Sequence, residues 1–166
     1  MLTEDQKQRI QEEQDRYPHP KTGIIHSLFI AQEGDNSIEE EDVEKMGELL
    51  GIDPAEIWSV ASFYTMINQE PTGRYKIQVC DNLPCLIEGA AQIVEYFENR
   101  LNIENGETTA DDLFTLETVE CLGSCGSAPI CQVNDEAYHE NLTPDDVDDL
   151  LDELRERAKT GDGDFS

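Results

Sequence analysis

Four of the five cysteines fall in two close pairs, and that spacing constrains this chain more than anything else in it. VCDNLPC carries Cys80 and Cys85, and ECLGSC carries Cys121 and Cys125, giving C-x4-C, a gap of 35 residues, then C-x3-C. Each pair lies where an apparent strand runs into a loop. If the two strands are neighbours in one sheet, the loops can bring four thiolates to one point. Tetrahedral sulfur ligation suits zinc or iron–sulfur chemistry. Structural zinc sites use spacings of two to four residues, so zinc stays open. A [2Fe–2S] cluster gives each iron two cysteines, which two loops with two ligands each would supply. Redox-active or merely buried thiols are a third option. The spacing is not that of the plant-type ferredoxins.

The loop residues suit a negatively charged group. Gly123 and Gly126 permit tight turns that aim amide N–H groups at sulfur. A helix is expected to start just after Cys85, with its N-terminus favouring nearby negative charge. Pro84 and Pro129 stiffen the loop edges. Cys131 opens a strand and alternates with Val133, so it reads as a small buried hydrophobe rather than a ligand.

Local patterns place these loops in a second, mixed half of the chain. Thr3 starts a first helix, expected to be mostly exposed, with sparse apolar positions at Leu2, Ile10 and Tyr17. Residues 24–33 read as a short buried helix. Ser37 with Glu40 fits a capping box for the helix that carries Val43, Met46, Leu49 and Leu50 and ends at Gly51. Asp53, Pro54 and Glu56 open the next helix, with Ile57, Val60, Ala61 and Tyr64 as its stripe, broadened by Trp58, Phe63 and Met66. Residues 1–70 are therefore predicted to form a helical region, with the boundary in NQEPTG. GRYKIQVC then alternates as a strand, with Tyr75, Ile77 and Val79 on one side and Lys76 and Gln78 on the other. Leu86, Ala90, Ile93, Val94, Phe97 and Leu101 mark an amphipathic helix. LFTLETVEC, ICQVND and AYHEN supply further strands, with His139 expected on the surface. Thr143 caps a last helix lined by Val147, Leu150, Leu151, Leu154 and Ala158. The fold class is α+β: a helical bundle, then β-α-β-β-(β)-α over 71–158, then a flexible acidic tail at 159–166.

Charge removes several functions. With 38 acidic and 11 basic residues the formal net charge is −27. Phosphate-bearing nucleic acid is repelled by such a surface, and so is an anionic membrane. The acidic residues are spread along the chain, which favours a surface adapted to concentrated salt over a single docking patch. No apolar run reaches the length of a membrane span, and the polar start MLTEDQKQRIQEEQ resembles no signal peptide. The histidines His19 and His26 have no metal-binding constellation around them. No G-x-G-x-x-G or P-loop motif is present, so NAD, flavin and nucleotide sites are not expected on this chain.

VCDNLPC with Gly89, ECLGSCGSAPICQVN, and ASFYTMI ahead of GRYKIQVC together resemble the thioredoxin-like [2Fe–2S] subunit of respiratory NADH dehydrogenase, the 24 kDa type of complex I. The likeness covers roughly residues 5–157. It implies a thioredoxin-like domain with a mixed four-stranded sheet, and a [2Fe–2S] cluster on Cys80, Cys85, Cys121 and Cys125. It also implies one-electron exchange with the flavin (FMN) of an NADH-binding partner subunit, in the peripheral arm of an NADH:quinone oxidoreductase. The cluster of this family lies beside the main electron path. The subunit would lie on the cytoplasmic side, held to the inner membrane through its complex without touching lipid. The N-terminal helices are expected to help hold it against the flavin-bearing partner. The equivalent subunit of an NAD-linked hydrogenase or formate dehydrogenase is an alternative, as is a zinc-stapled interaction domain. A thiol enzyme of the C-x-x-C kind finds no such pair here.

Overall fold

In the computed structural model, which describes residues 2–33, 36–135 and 137–160, helix boundaries follow the capping residues. Two compact units result, Met1–Thr72 and Gly73–Ser166.

Among the described residues the first unit contains four α-helices: α1 (Glu4–Gln14), α2 (Ile24–Gln32), α3 (Glu40–Leu50) and α4 (Pro54–Phe63). Thr3 and Gln6 form a reciprocal capping box on α1. The first helix is less exposed than its sparse apolar residues suggest. It buries Gln6, Ile10 and Gln14 at i, i+4 spacing, and Gln6 Nε2 donates to the carbonyls of Ile30, Ala31 and Glu33 at 2.9–3.2 Å. A glutamine thus satisfies carbonyls that the end of α2 leaves without helical partners. Glu39, not Ser37, caps α3, and its N–H donates to Asp42 Oδ2 at 3.2 Å. Gly51 ends α3 at φ 65°, a left-handed conformation that glycine adopts without a Cβ penalty. Asp53 Oδ1 accepts from the Ala55 N–H at 2.9 Å, but Glu56 pairs with Lys21 at 2.6 Å. Leu28, Ile38, Met46, Ile57 and Ala61 are fully buried. Phe63, Tyr64 and Met66 stay exposed, against expectation. Phe63 lies two residues past Ala61, about 200° round the helix, and α4 ends there.

The second unit holds β1 (Tyr75–Cys80), α5 (Leu83–Ile87), α6 (Ala90–Leu101), β2 (Phe114–Val119), β3 (Cys131–Val133), β4 (Ala137–His139) and α7 (Pro144–Thr160). The sheet order is β2-β1-β3-β4. β1 and β2 are parallel and the other pairings antiparallel. A parallel pair needs a crossover, which α5 and α6 provide. Tyr75, Ile77 and Val79 of β1 share one core with Ile93 and Phe97 of α6 and Val147, Leu151 and Leu154 of α7, so both long helices cover the same face of the sheet. The opposite face is polar yet buried. There Gln132 donates to Gln78 at 2.9 Å, Gln78 to Glu117 at 2.8 Å, and Lys76 pairs with Asp135 at 3.4 Å.

The amphipathic helix does not begin after Cys85. Cys85 lies inside the short α5, whose first N–H is capped by Asn82 Oδ1 at 3.0 Å. Gly89, at φ 102°, then breaks the chain before α6, so Leu86 is on a separate, exposed element. Lys159 and Thr160 complete α7, and the rest of the expected acidic tail lies outside the described residues. Among the described residues no helix is long and apolar enough to cross a membrane.

Candidate metal centre

Strand register brings the two cysteine loops to one end of the sheet. Cys80 is the last residue of β1 and pairs with Val119, the last of β2. The segment after β2 therefore starts beside Cys80 and must cross back to enter β3, whose Cys131 opposes Val79. Two backbone bonds close this end: Cys80 N–H donates to the Ile130 carbonyl at 3.0 Å, and Asp81 N–H to Val119 at 3.1 Å. Cys80 and Cys85 pack with Ala90 and Ile130 in a small core of their own, while Cys121 and Cys125 are exposed.

The thiols approach as pairs. Cys121 Sγ and Cys125 Sγ are 3.7 Å apart. A tetrahedral metal with sulfur bonds of about 2.3 Å holds its sulfurs about 3.8 Å apart, so this pair has the separation of two ligands on one ion. Burial, then contact with Cys80, pushes the Cys85 thiol up to about 11, with Cys125 adding a smaller repulsion; the backbone N–H of Ile130 pulls it the other way. Cys125 is raised chiefly by Cys121 and also feels Cys80. Cys85 and Cys125 thus each resist becoming a thiolate beside the other cysteine of their pair, and the repulsion felt by Cys125 reaches across to the first pair. A cation between them removes that penalty, because metal binding deprotonates its thiol ligands. Among the described residues no three His, Cys, Asp or Glu side chains converge on a single-ion position. A binuclear cluster needs a different set, two sulfurs for each of two irons, and the residues present fit it.

Cys131 is apart from the four. It is buried in the core under α6 and α7, and burial alone lifts its thiol to about 12. The sulfur-directed amides also differ from expectation: they belong to Ile130 and to Cys125 itself. Gly123 does take a left-handed turn at φ 84°, but Gly126 needs no positive φ. His26 lies beside Tyr17 and Glu13, in the other unit. His139, expected on the surface, is half-buried on β4 with Nε2 enclosed, and burial lowers its basicity.

The residues that hold the second loop carry no signal of that role in the sequence. Glu140 accepts hydrogen bonds from Ser124 and Ser127, which keep its carboxyl below the usual range. Tyr138 Oη donates to the Leu122 carbonyl at 3.2 Å. The serines are visible in CLGSCGS, but nothing in the sequence joins them to a glutamate 13 and 16 positions away. Leu83, Leu86 and Ile87 of α5 expose apolar side chains around Cys85.

The sequence pattern of the family described as thioredoxin-like [2Fe-2S] ferredoxin matches residues 10–155. The chain is 40% identical over 140 residues to an NADH-quinone oxidoreductase subunit of Rhizobium meliloti, covering 84% of this chain and 83% of that protein. It is 39% identical over 154 residues to NADH-quinone oxidoreductase subunit 2 of Thermus thermophilus, covering 92% and 85%. Its fold is similar to part of a chain of the NAD+-reducing [NiFe]-hydrogenase in the air-oxidized state: TM-score 0.70, 23% identity, covering 81% of this chain but 23% of that one.

Proposed function

The chain belongs to the thioredoxin-like [2Fe-2S] ferredoxin family, and from that premise we propose that it is the electron-carrying [2Fe–2S] subunit of an NADH:quinone oxidoreductase. Cys80, Cys85, Cys121 and Cys125 are its cluster ligands. The observation that carries the ligand set is the meeting of two thiol pairs at the shared end of β1 and β2, one pair at metal-sharing distance. The chemistry such a cluster supplies when bound is reversible one-electron transfer. The chain's own residues provide the rest. Cys80 and Cys85 anchor the centre in a dry pocket, and the Ile130 N–H favours negative charge on the Cys85 sulfur. Cys121 and Cys125 present the other side to the surface. Proximity of that side to a partner's flavin suits electron exchange with it, and the apolar side chains of α5 suit protein contact.

NADH oxidation and FMN belong on the partner subunit in this reading, and this chain turns over no substrate by itself. It joins the membrane through its complex, on the cytoplasmic side. The relatives near 40% identity favour the quinone-linked assembly over the hydrogenase, whose likeness is one of fold. The test is iron and acid-labile sulfide analysis with a visible spectrum on anaerobically purified protein. Two iron and two sulfide per chain, with the colour lost in Cys125→Ser, are expected. One zinc and no sulfide would replace this reading with a zinc-stapled domain.

A further inference from the structure

The loop carrying Cys121 and Cys125 has little of its own to hold it. Both cysteines are exposed, and its centre is one short 3-10 turn, Cys125–Ser127. Leu122 and Ala128 pack against the small core of Cys80 and Cys85, and a set of hydrogen bonds comes from the segment 138–142. Tyr138 Oη donates to the Leu122 carbonyl at 3.2 Å. Asn141 N–H donates to the Ser127 carbonyl at 2.7 Å, and Leu142 N–H to the Pro129 carbonyl at 3.0 Å. Between these contacts, Glu140 Oε1 accepts from Ser127 Oγ at 2.5 Å and from Ser124 Oγ. The two hydroxyl oxygens are themselves 2.8 Å apart. Ser124 immediately precedes Cys125, and Ser127 follows it by two residues. One carboxylate therefore grips the loop on both sides of Cys125.

We propose that Glu140 is a positioning residue for the metal centre, fixing the attitude of Cys125 and keeping the Ser124 and Ser127 hydroxyls turned away from the cluster sulfurs. This rests on the ligand set proposed above. A hydroxyl has one proton to give, and a carboxylate is the stronger acceptor. Hydrogen bonds to cluster sulfur raise a reduction potential by stabilising the more negative reduced form. With Glu140 in place, those donors are occupied. Without it, they are free to turn toward Cys121 and Cys125, and the loop loses the contact that spans its second cysteine.

The experiment uses the full chain with its cluster. Iron and sulfide content of the unaltered protein, and of Cys125→Ser, tests the ligand reading alone; the Glu140 variants test the brace. Glu140→Ala should raise the midpoint potential and change the electron paramagnetic resonance line shape of the reduced protein. It should also speed loss of the visible spectrum to a chelator roughly tenfold, the scale typical of supporting residues around metal ligands. Glu140→Gln keeps an acceptor oxygen in the same place and should retain the original line shape. In a Ser124→Ala/Ser127→Ala background, adding Glu140→Ala should change the line shape and the chelation rate no further. The proposal is overturned if Glu140→Ala matches the unaltered protein in line shape and chelation rate. It is equally overturned if Glu140→Ala acts the same with and without the serines. If Glu140→Ala takes up no cluster, the brace stands only where Glu140→Gln restores it.

Discussion

Raising the salt concentration should raise the midpoint potential of this protein. Reduction adds one negative charge to a centre flanked by Asp81, next to Cys80, and Glu120, next to Cys121, both exposed. Adjacent Cα atoms are about 3.8 Å apart, which places these carboxylates on the order of 8 Å from the centre. Coulomb's law in water at that range gives roughly 20 mV per carboxylate for a one-electron couple before screening. The screening length falls from about 10 Å at 0.1 M salt to about 3 Å at 1 M. About 45% of the repulsion survives at the lower concentration and under about 10% at the higher. The two carboxylates together then give a rise of about 15 mV across that range. The remaining acidic surface adds with the same sign. The chain carries 38 acidic residues against 11 basic ones, so most of that surface charge is not offset from within. The assay is a redox titration followed by visible absorption at each salt concentration, with Asp81→Asn/Glu120→Gln as control. The control should start from a higher potential and respond less. A potential that stays level or falls as salt is added would refute the reasoning.

Phe97→Ala, at a fully buried position between α6 and the sheet, should destabilise the protein by about 3–5 kcal/mol in urea unfolding; a cost below about 1 kcal/mol would mean the core is not packed as described. Cys131→Ser should leave the iron and sulfide content unchanged while costing about 1–3 kcal/mol, because a hydroxyl is less tolerated than a thiol in that apolar core; loss of the cluster would instead make Cys131 a ligand. In the metal-free protein, the folded Cys85 thiol is raised from 9.0 to about 11, chiefly by burial. Its neutral form is therefore favoured by folding, and the stability this contributes is complete below pH 9 and is lost as pH rises toward 11. Urea midpoints of the metal-free protein should accordingly fall across that window, and an unchanged midpoint would contradict the buried thiol.

Much of this molecule is legible from neighbours along the chain. Thr3 over Gln6, Asp53 over Ala55, Thr143 over Asp146 and the left-handed Gly51 all act within four residues, so their meaning is present in the local sequence. Strand alternation in YKIQVC and helical spacing in Ile93, Phe97 and Leu101 name their buried faces for the same reason. The thiol pairs with their strand-end setting put sulfur ligation among the readings that the local sequence offers. Other features need distant chain to arrive. Gln6 and Gln14 look like surface residues until α2 supplies a place for them, and Lys76 and Gln78 look solvated until Glu117, Gln132 and Asp135 gather round them. Glu140 is one carboxylate among many in the sequence; only the path of β4 past the second cysteine loop sets it against Ser124 and Ser127. Capping and periodicity are short-range and survive in a linear reading. Partners drawn from separate elements exist only after the sheet has ordered its strands, and that ordering decides which polar groups are buried, which are braced and which face solvent.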